Sequence, residues 1–118
     1  MNKTEFLNQN YNSSDELMSL AAYVLISSYR ERTMTVLFNN GAMTPKFIAA
    51  NAGFRPNHVS KVLGELKEKE LVVCINEEVR KGRLYRLTNL GREIFPILTE
   101  LKGVSGSELN DCYKGDDL

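Results

Sequence analysis

The sequence predicts a mainly α fold with one small β-hairpin (α+β). Three observations carry that prediction. Apolar residues recur at spacings of three and four in five stretches between Ser14 and Leu101. Two short runs, Leu71 to Asn76 and Gly82 to Thr88, are instead rich in β-branched and apolar residues and flank a basic loop. Ser, Thr, Pro and Gly stand where the helical stretches begin and end. A chain of 118 residues suits one three-helix core with a short sheet and leaves no length for a separate ligand-binding domain. A small-molecule effector, of unknown kind if there is one, must share that core or an interface.

Residues 1–12 are polar and aperiodic, and Ser13 with Glu16 has the capping-box spacing that opens a first helix over about 14–27. Leu17, Leu20, Ala21 and Val24 line one face, while Tyr23, Leu25 and Ile26 are apolar outside it. That surplus either packs onto the core or joins two subunits. The subunit interface is favoured, because an exposed apolar patch otherwise invites aggregation. Ser28 and Glu31 repeat the capping spacing and predict a second helix with Thr33, Met34, Leu37 and Phe38 inward, ending at Asn39-Asn40-Gly41.

Thr44 caps the next helix with Pro45 at its first position, and Ile48, Ala49 and Ala52 give it a small inner face. Gly53 supplies a left-handed turn and Phe54 fills the corner. In the helix from about 56 to 69, Val59, Val62, Leu63 and Leu66 form a single buried stripe. The two runs that follow pair as a hairpin whose loop, 77–83, carries Arg80, Lys81 and Arg83 beside Gly82. Thr88 opens a last helix through Ile94, Ile97, Leu98 and Leu101, with a kink or break expected at Pro96. Beyond Gly103 the chain is rich in Gly, Ser and Asp without periodicity, which reads as a flexible acidic tail.

Helix, tight turn, helix and basic hairpin in that order make a winged helix-turn-helix, with extra N- and C-terminal helices. Three segments follow: 1–27, an N-terminal segment and dimerisation helix; 28–102, the winged domain; and 103–118, the tail. Net charge is zero overall, yet residues 28–102 hold thirteen Lys or Arg against eight Glu. A basic centre between acidic ends suits a protein that meets phosphate through one surface.

The expected DNA surface follows from side-chain chemistry. Arg55, Asn57, His58, Ser60 and Lys61 cluster in the first turns of the helix at 56–69, the part of a recognition helix that enters a major groove. Arg and Lys donate to guanine O6 and N7, and Asn pairs bidentately with adenine N6 and N7. Lys46, at the start of the preceding helix, joins them. Arg80, Lys81 and Arg83 on the wing suit the phosphate backbone. A solvated polar face is the alternative for the helix and a solubilising tip for the wing. His58, the single histidine, is a DNA contact or a plain surface residue, and Lys67, Glu68 and Lys69 are expected to be solvated.

Other chemistries lack their residues. Cys74 and Cys112 form no CxxC and have no nearby histidine, so neither a metal site nor a disulfide is expected, and Cys74 reads as a buried small apolar residue rather than an oxidation sensor. There is no phosphate-binding glycine loop and no nucleophile beside a base, so no enzyme and no cofactor is expected. No run approaches the ~20 apolar residues of a membrane span, and the N-terminus is unlike a signal peptide, so a cytoplasmic protein is expected.

The segments HVSKVLGELKEKELV and YRLTNLG, within about 28–102, resemble the small winged-helix transcriptional regulators of archaea and bacteria, in the broad MarR-like and ArsR-like group. Val59-Ser60, Leu87-Thr88 and Gly91 match the group's pattern. Glu70 stands where a glycine is common, so the helix end must be capped otherwise. Phe47 replaces a usually polar residue, making it a candidate contact for the N-terminal helix or another subunit. The resemblance implies a homodimer on a near-palindrome, with 55–61 facing the major groove and the wing cations the backbone. Metal sensing is not carried over, because the recognition helix has no cysteine. The leading expectation is a dimeric, sequence-specific DNA-binding transcriptional regulator; the alternative is a winged helix that docks on protein in transcription or replication machinery.

Overall fold

The computed structural model describes the backbone of residues 14–117 and the side chains of 14–103. The Ser13 cap and the polar start at 1–12 lie outside the described residues. Five helices and a two-stranded antiparallel sheet follow in order: α1 (Ser14–Leu25), α2 (Ser28–Asn40), α3 (Pro45–Ala52), α4 (Pro56–Glu68), β1 (Val72–Cys74), β2 (Tyr85–Leu87) and α5 (Asn89–Asp117). Val72 pairs with Leu87 and Cys74 with Tyr85, and Met43, ahead of α3, adds an isolated bridge to Tyr85.

The core lies where α2, α4, α5 and the sheet meet. Met34, Ile48, Val59, Leu66, Leu71, Val72, Ile94 and Leu98 are fully or almost fully buried. The predicted stripe on α4 is intact, with Val59, Val62, Leu63 and Leu66 all buried. Ala21 and Val24 of α1 are also fully buried, with Leu17, Leu20, Tyr23 and Leu25 packed partly against the core. Most of the apolar surface of α1 is therefore spent within the chain; Met18 and Ile26 remain exposed. Phe38 lies outward rather than inward, stacked on Phe95 at 4.1 Å between ring centroids.

Capping explains the helix starts. Thr44 Oγ1 accepts the Phe47 amide, Pro45 follows at the first position, and Gly53 closes α3 in the left-handed region at φ 82. Gly41 closes α2 at φ 81. The cap of α2 differs by one residue from expectation: Ser27, in extended conformation, accepts the Arg30 amide, and Ser28 is already helical. Both serines carry the right chemistry, and the end of α1 at Leu25 decides which one turns the corner.

Two expectations for helix ends change. Glu70 was expected to force a different cap from the usual glycine. Instead it takes the left-handed conformation itself, at φ 63. The Glu70 amide donates to Lys67 O and the Leu71 amide to Leu66 O, both at 2.9 Å, which is the Schellman pattern. A side chain here costs energy, and its negative charge also opposes the dipole at a helix C-terminus. Glu70→Gly is expected to stabilise the protein by about 1 kcal/mol, since glycine's greater unfolded freedom offsets part of the relieved strain. Glu70→Ala, which removes only the charge, should gain a few tenths. Equal denaturation midpoints for the two variants would show that this turn stores no strain.

The second change is at Pro96, where of the two outcomes expected, a kink or a break with a new start, the break does not occur: α5 runs through it. Ile94 and Leu98, four residues apart and buried on the same face, anchor the helix on both sides of the missing hydrogen bond. The helical backbone continues to Asp117, across the segment expected to be an aperiodic tail. No helix among the described residues is long and apolar enough to cross a membrane.

Candidate nucleic-acid interface

The candidate surface lies on the polar side of α4. Because Val59, Val62, Leu63 and Leu66 all turn inward, the intervening positions are left facing out. Arg55, Asn57, Ser60 and Lys61 are exposed and have no side-chain partner among the described residues. Arg55 is the N-cap residue but makes no capping bond with its side chain, so its guanidinium stays available. Lys46, in the first turn of α3, is exposed in the same way.

His58 stands apart from this set. It is half-buried, its ring tilted against Tyr29 at 5.3 Å, and Tyr29 in turn stacks on Phe54 at 4.7 Å. Its Nδ1 is buried without a hydrogen-bond partner. Arg32 closes the cluster, lying over the Tyr29 and Phe54 rings at 5.6 and 5.4 Å and donating to Ala52 O at 3.0 Å. His58 thus helps hold the turn between α3 and α4 together, whatever else its outer edge meets.

Arg30 is a residue that sequence reasoning counted only as charge. Its Nε donates to Glu65 Oε1 at 3.0 Å, its Nη1 donates to Tyr23 O at 2.8 Å, and its guanidinium lies 3.8 Å from the Tyr23 ring centre. One side chain therefore ties α1 and α2 to α4. No local spacing signals a partner 35 residues away.

The wing is tied to the other end of α4. Lys67, expected to be solvated, pairs with Glu77 at 2.6 Å. The hydrogen bond between them, then their charges, hold the Lys67 ammonium above its usual pKa and the Glu77 carboxylate below its own. The pair also offsets one of the two glutamates at the wing base. It joins the wing to α4 roughly 15 Å along the helix from Asn57, taking 1.5 Å per residue. At the loop, Arg80 and Lys81 are exposed without partners among the described residues. Arg83 is not equivalent: its guanidinium donates to Val79 O and Glu77 O.

Cys74 is buried on β1, its Sγ 3.6 Å from Asn76 Oδ1. No group of three or more His, Cys, Asp or Glu among the described residues stands close enough to hold a metal. Phe47 is 60% exposed on α3.

Neither a protein-family model nor a curated protein matches the chain. Solved structures do. A MarR family transcriptional regulator from Silicibacter pomeroyi superposes with a TM-score of 0.62 at 19% identity, over 92% of this chain and 73% of that one. AntR, an antimony-specific transcriptional repressor, gives 0.61 at 18% identity, over 81% and 86%. The homodimeric winged helix-turn-helix DNA-binding domain of Mb0332 from Mycobacterium bovis, a possible ArsR-family transcriptional regulator, gives 0.57 at 19%, over 81% and 84%. The mainly helical chain with its two-stranded wing has the winged helix-turn-helix fold found in these MarR-family and ArsR-family regulators.

Proposed function

We propose that the protein is a sequence-specific DNA-binding transcriptional regulator that occupies an operator as a homodimer. The observation that carries this reading is the set of unpartnered polar side chains at the start of α4. Arg55, Asn57, Ser60 and Lys61 stand on a helix whose other face is wholly buried, with no folding role of their own. Base edges in a major groove are what this donor set matches. Lys46, Arg80 and Lys81 flank it as phosphate partners, and the outer edge of His58 lies beside it. Two of the similar structures are named as transcriptional regulators and one as a homodimeric DNA-binding domain, which supports the same reading. Met18 and Ile26, left over on and beside α1, are available to a second copy.

The direct test is selection from a random DNA pool by the purified protein, with sequencing of the retained fragments. The expected result is an inverted repeat with half-sites about one helical turn, roughly 34–36 Å, apart. A pool that emerges without enrichment would favour the second reading, that the domain docks on protein. The exposed Phe47 ring on α3 speaks for that alternative.

A further inference from the structure

Three cations look alike in the wing sequence, but the structure divides them. Arg83 donates Nε–H to Val79 O at 2.7 Å and an Nη2 hydrogen to Glu77 O at 3.1 Å. Asn76 closes the same loop from its base. Its Nδ2 donates to Gly82 O at 3.2 Å, and its Oδ1 accepts the Leu84 amide at 2.7 Å. The Val79 amide donates to Asn76 O at 3.1 Å, and Gly82 makes the turn at φ 76. A planar guanidinium has donors fanned widely enough to reach two backbone carbonyls at once, which a single ammonium on a flexible stem does not reproduce. Arg80 and Lys81 take no part in this lattice.

We propose that Arg83, with Asn76, is a positioning residue of the wing: it holds the loop in the shape that presents Arg80 and Lys81, and does not itself neutralise a phosphate. This rests on the DNA-binding reading above. A loop shaped during folding need not be ordered when DNA arrives, so removing the brace moves that entropic cost into binding. Arg83 then matters for affinity through its fork, not its charge.

The charge-conserving variant separates the roles. Full-length wild type, Arg83→Lys and Arg83→Ala are titrated against one 30-base-pair duplex across a salt series, and amide exchange is followed at Val79 and Leu84. A brace makes both variants bind roughly tenfold more weakly with the wild-type salt slope, and both lose exchange protection at the two amides. A phosphate contact gives a different pattern: lysine binds like wild type, and alanine makes the slope about 0.9 less negative for each engaged protomer. That pattern, or wild-type affinity in both variants, overturns the proposal. If wild type itself fails to bind DNA at low salt, the regulator reading fails, and the exchange data still decide the brace: retained protection in Arg83→Lys refutes it.

Discussion

Gly91→Ala is expected to destabilise the protein by about 3 kcal/mol or more, toward the upper end of overpacking effects. Gly91 is buried in the first turn of α5, and its backbone is not in the left-handed region, so space and not conformation is at issue. A Cβ there would stand 2.3 Å from Leu71 O and 3.3 Å from both Leu71 C and Leu87 Cβ. The obstructing oxygen cannot step aside cheaply. It accepts the Thr88 amide at 3.0 Å, and the Leu71 amide is itself bonded to Leu66 O at 2.9 Å in the turn that ends α4. Val72, one residue on, is already registered against Leu87. The added methyl must therefore push α5 away from the junction of α4 and the sheet. Small domains have roughly 5–15 kcal/mol of stability in total, so a loss of this size is large. Urea denaturation of the two proteins measures it, and a loss under about 1 kcal/mol would mean that α5 docks less tightly than the geometry requires.

The same junction shows what a sequence makes legible. Gly91 was recognisable from the Leu87-Thr88-Asn89-Leu90-Gly91 pattern, and Thr88 as a cap from its place before an apolar period; Thr88 Oγ1 does accept the Gly91 amide at 3.0 Å. The reason for the glycine was not legible, because Leu71 O reaches it only through the tertiary fold. The contrast recurs along the chain. Thr44, Pro45 and Gly53 bound α3 through contacts made within four residues, and the stripe on α4 depends only on helical period, so both were readable. The Arg30–Glu65 and Lys67–Glu77 pairs are not periodic and not adjacent. The bonds of Arg83 were hidden for a related reason: composition marks a cation, while the carbonyls of Val79 and Glu77 that it meets are turned toward it only by the folded loop. Of the candidate interface, the exposure of Arg55, Asn57, Ser60 and Lys61 was legible from helical period, and the partial burial of His58 against Tyr29 was not.

DNA affinity is expected to fall steeply with salt, and this is the largest effect the structure leads us to anticipate. Lys46, Arg55, Lys61, Arg80 and Lys81 are exposed cations with no carboxylate partner among the described residues. If each neutralises one phosphate, each contributes about −0.9 to the slope of log K against log salt, so one protomer gives roughly −4.5 and a dimer on two half-sites twice that. Between 50 and 200 mM salt a slope of −4.5 is roughly a 500-fold loss for a single protomer. Lys67 is the internal control. It is also exposed, but its charge is already paired with Glu77, so it is not free to neutralise a phosphate and displace a counterion from the DNA. Arg80→Ala with Lys81→Ala should make the slope about 1.8 less negative for each engaged protomer, whereas Lys67→Met should leave the slope unchanged. Filter binding on a single duplex across a salt series reads all three. A wild-type slope near zero would remove phosphate from this surface altogether. An equal change in Lys67→Met and in the double variant would show instead that the slope reports the protein's overall charge, and the division between free and paired cations would carry no functional meaning.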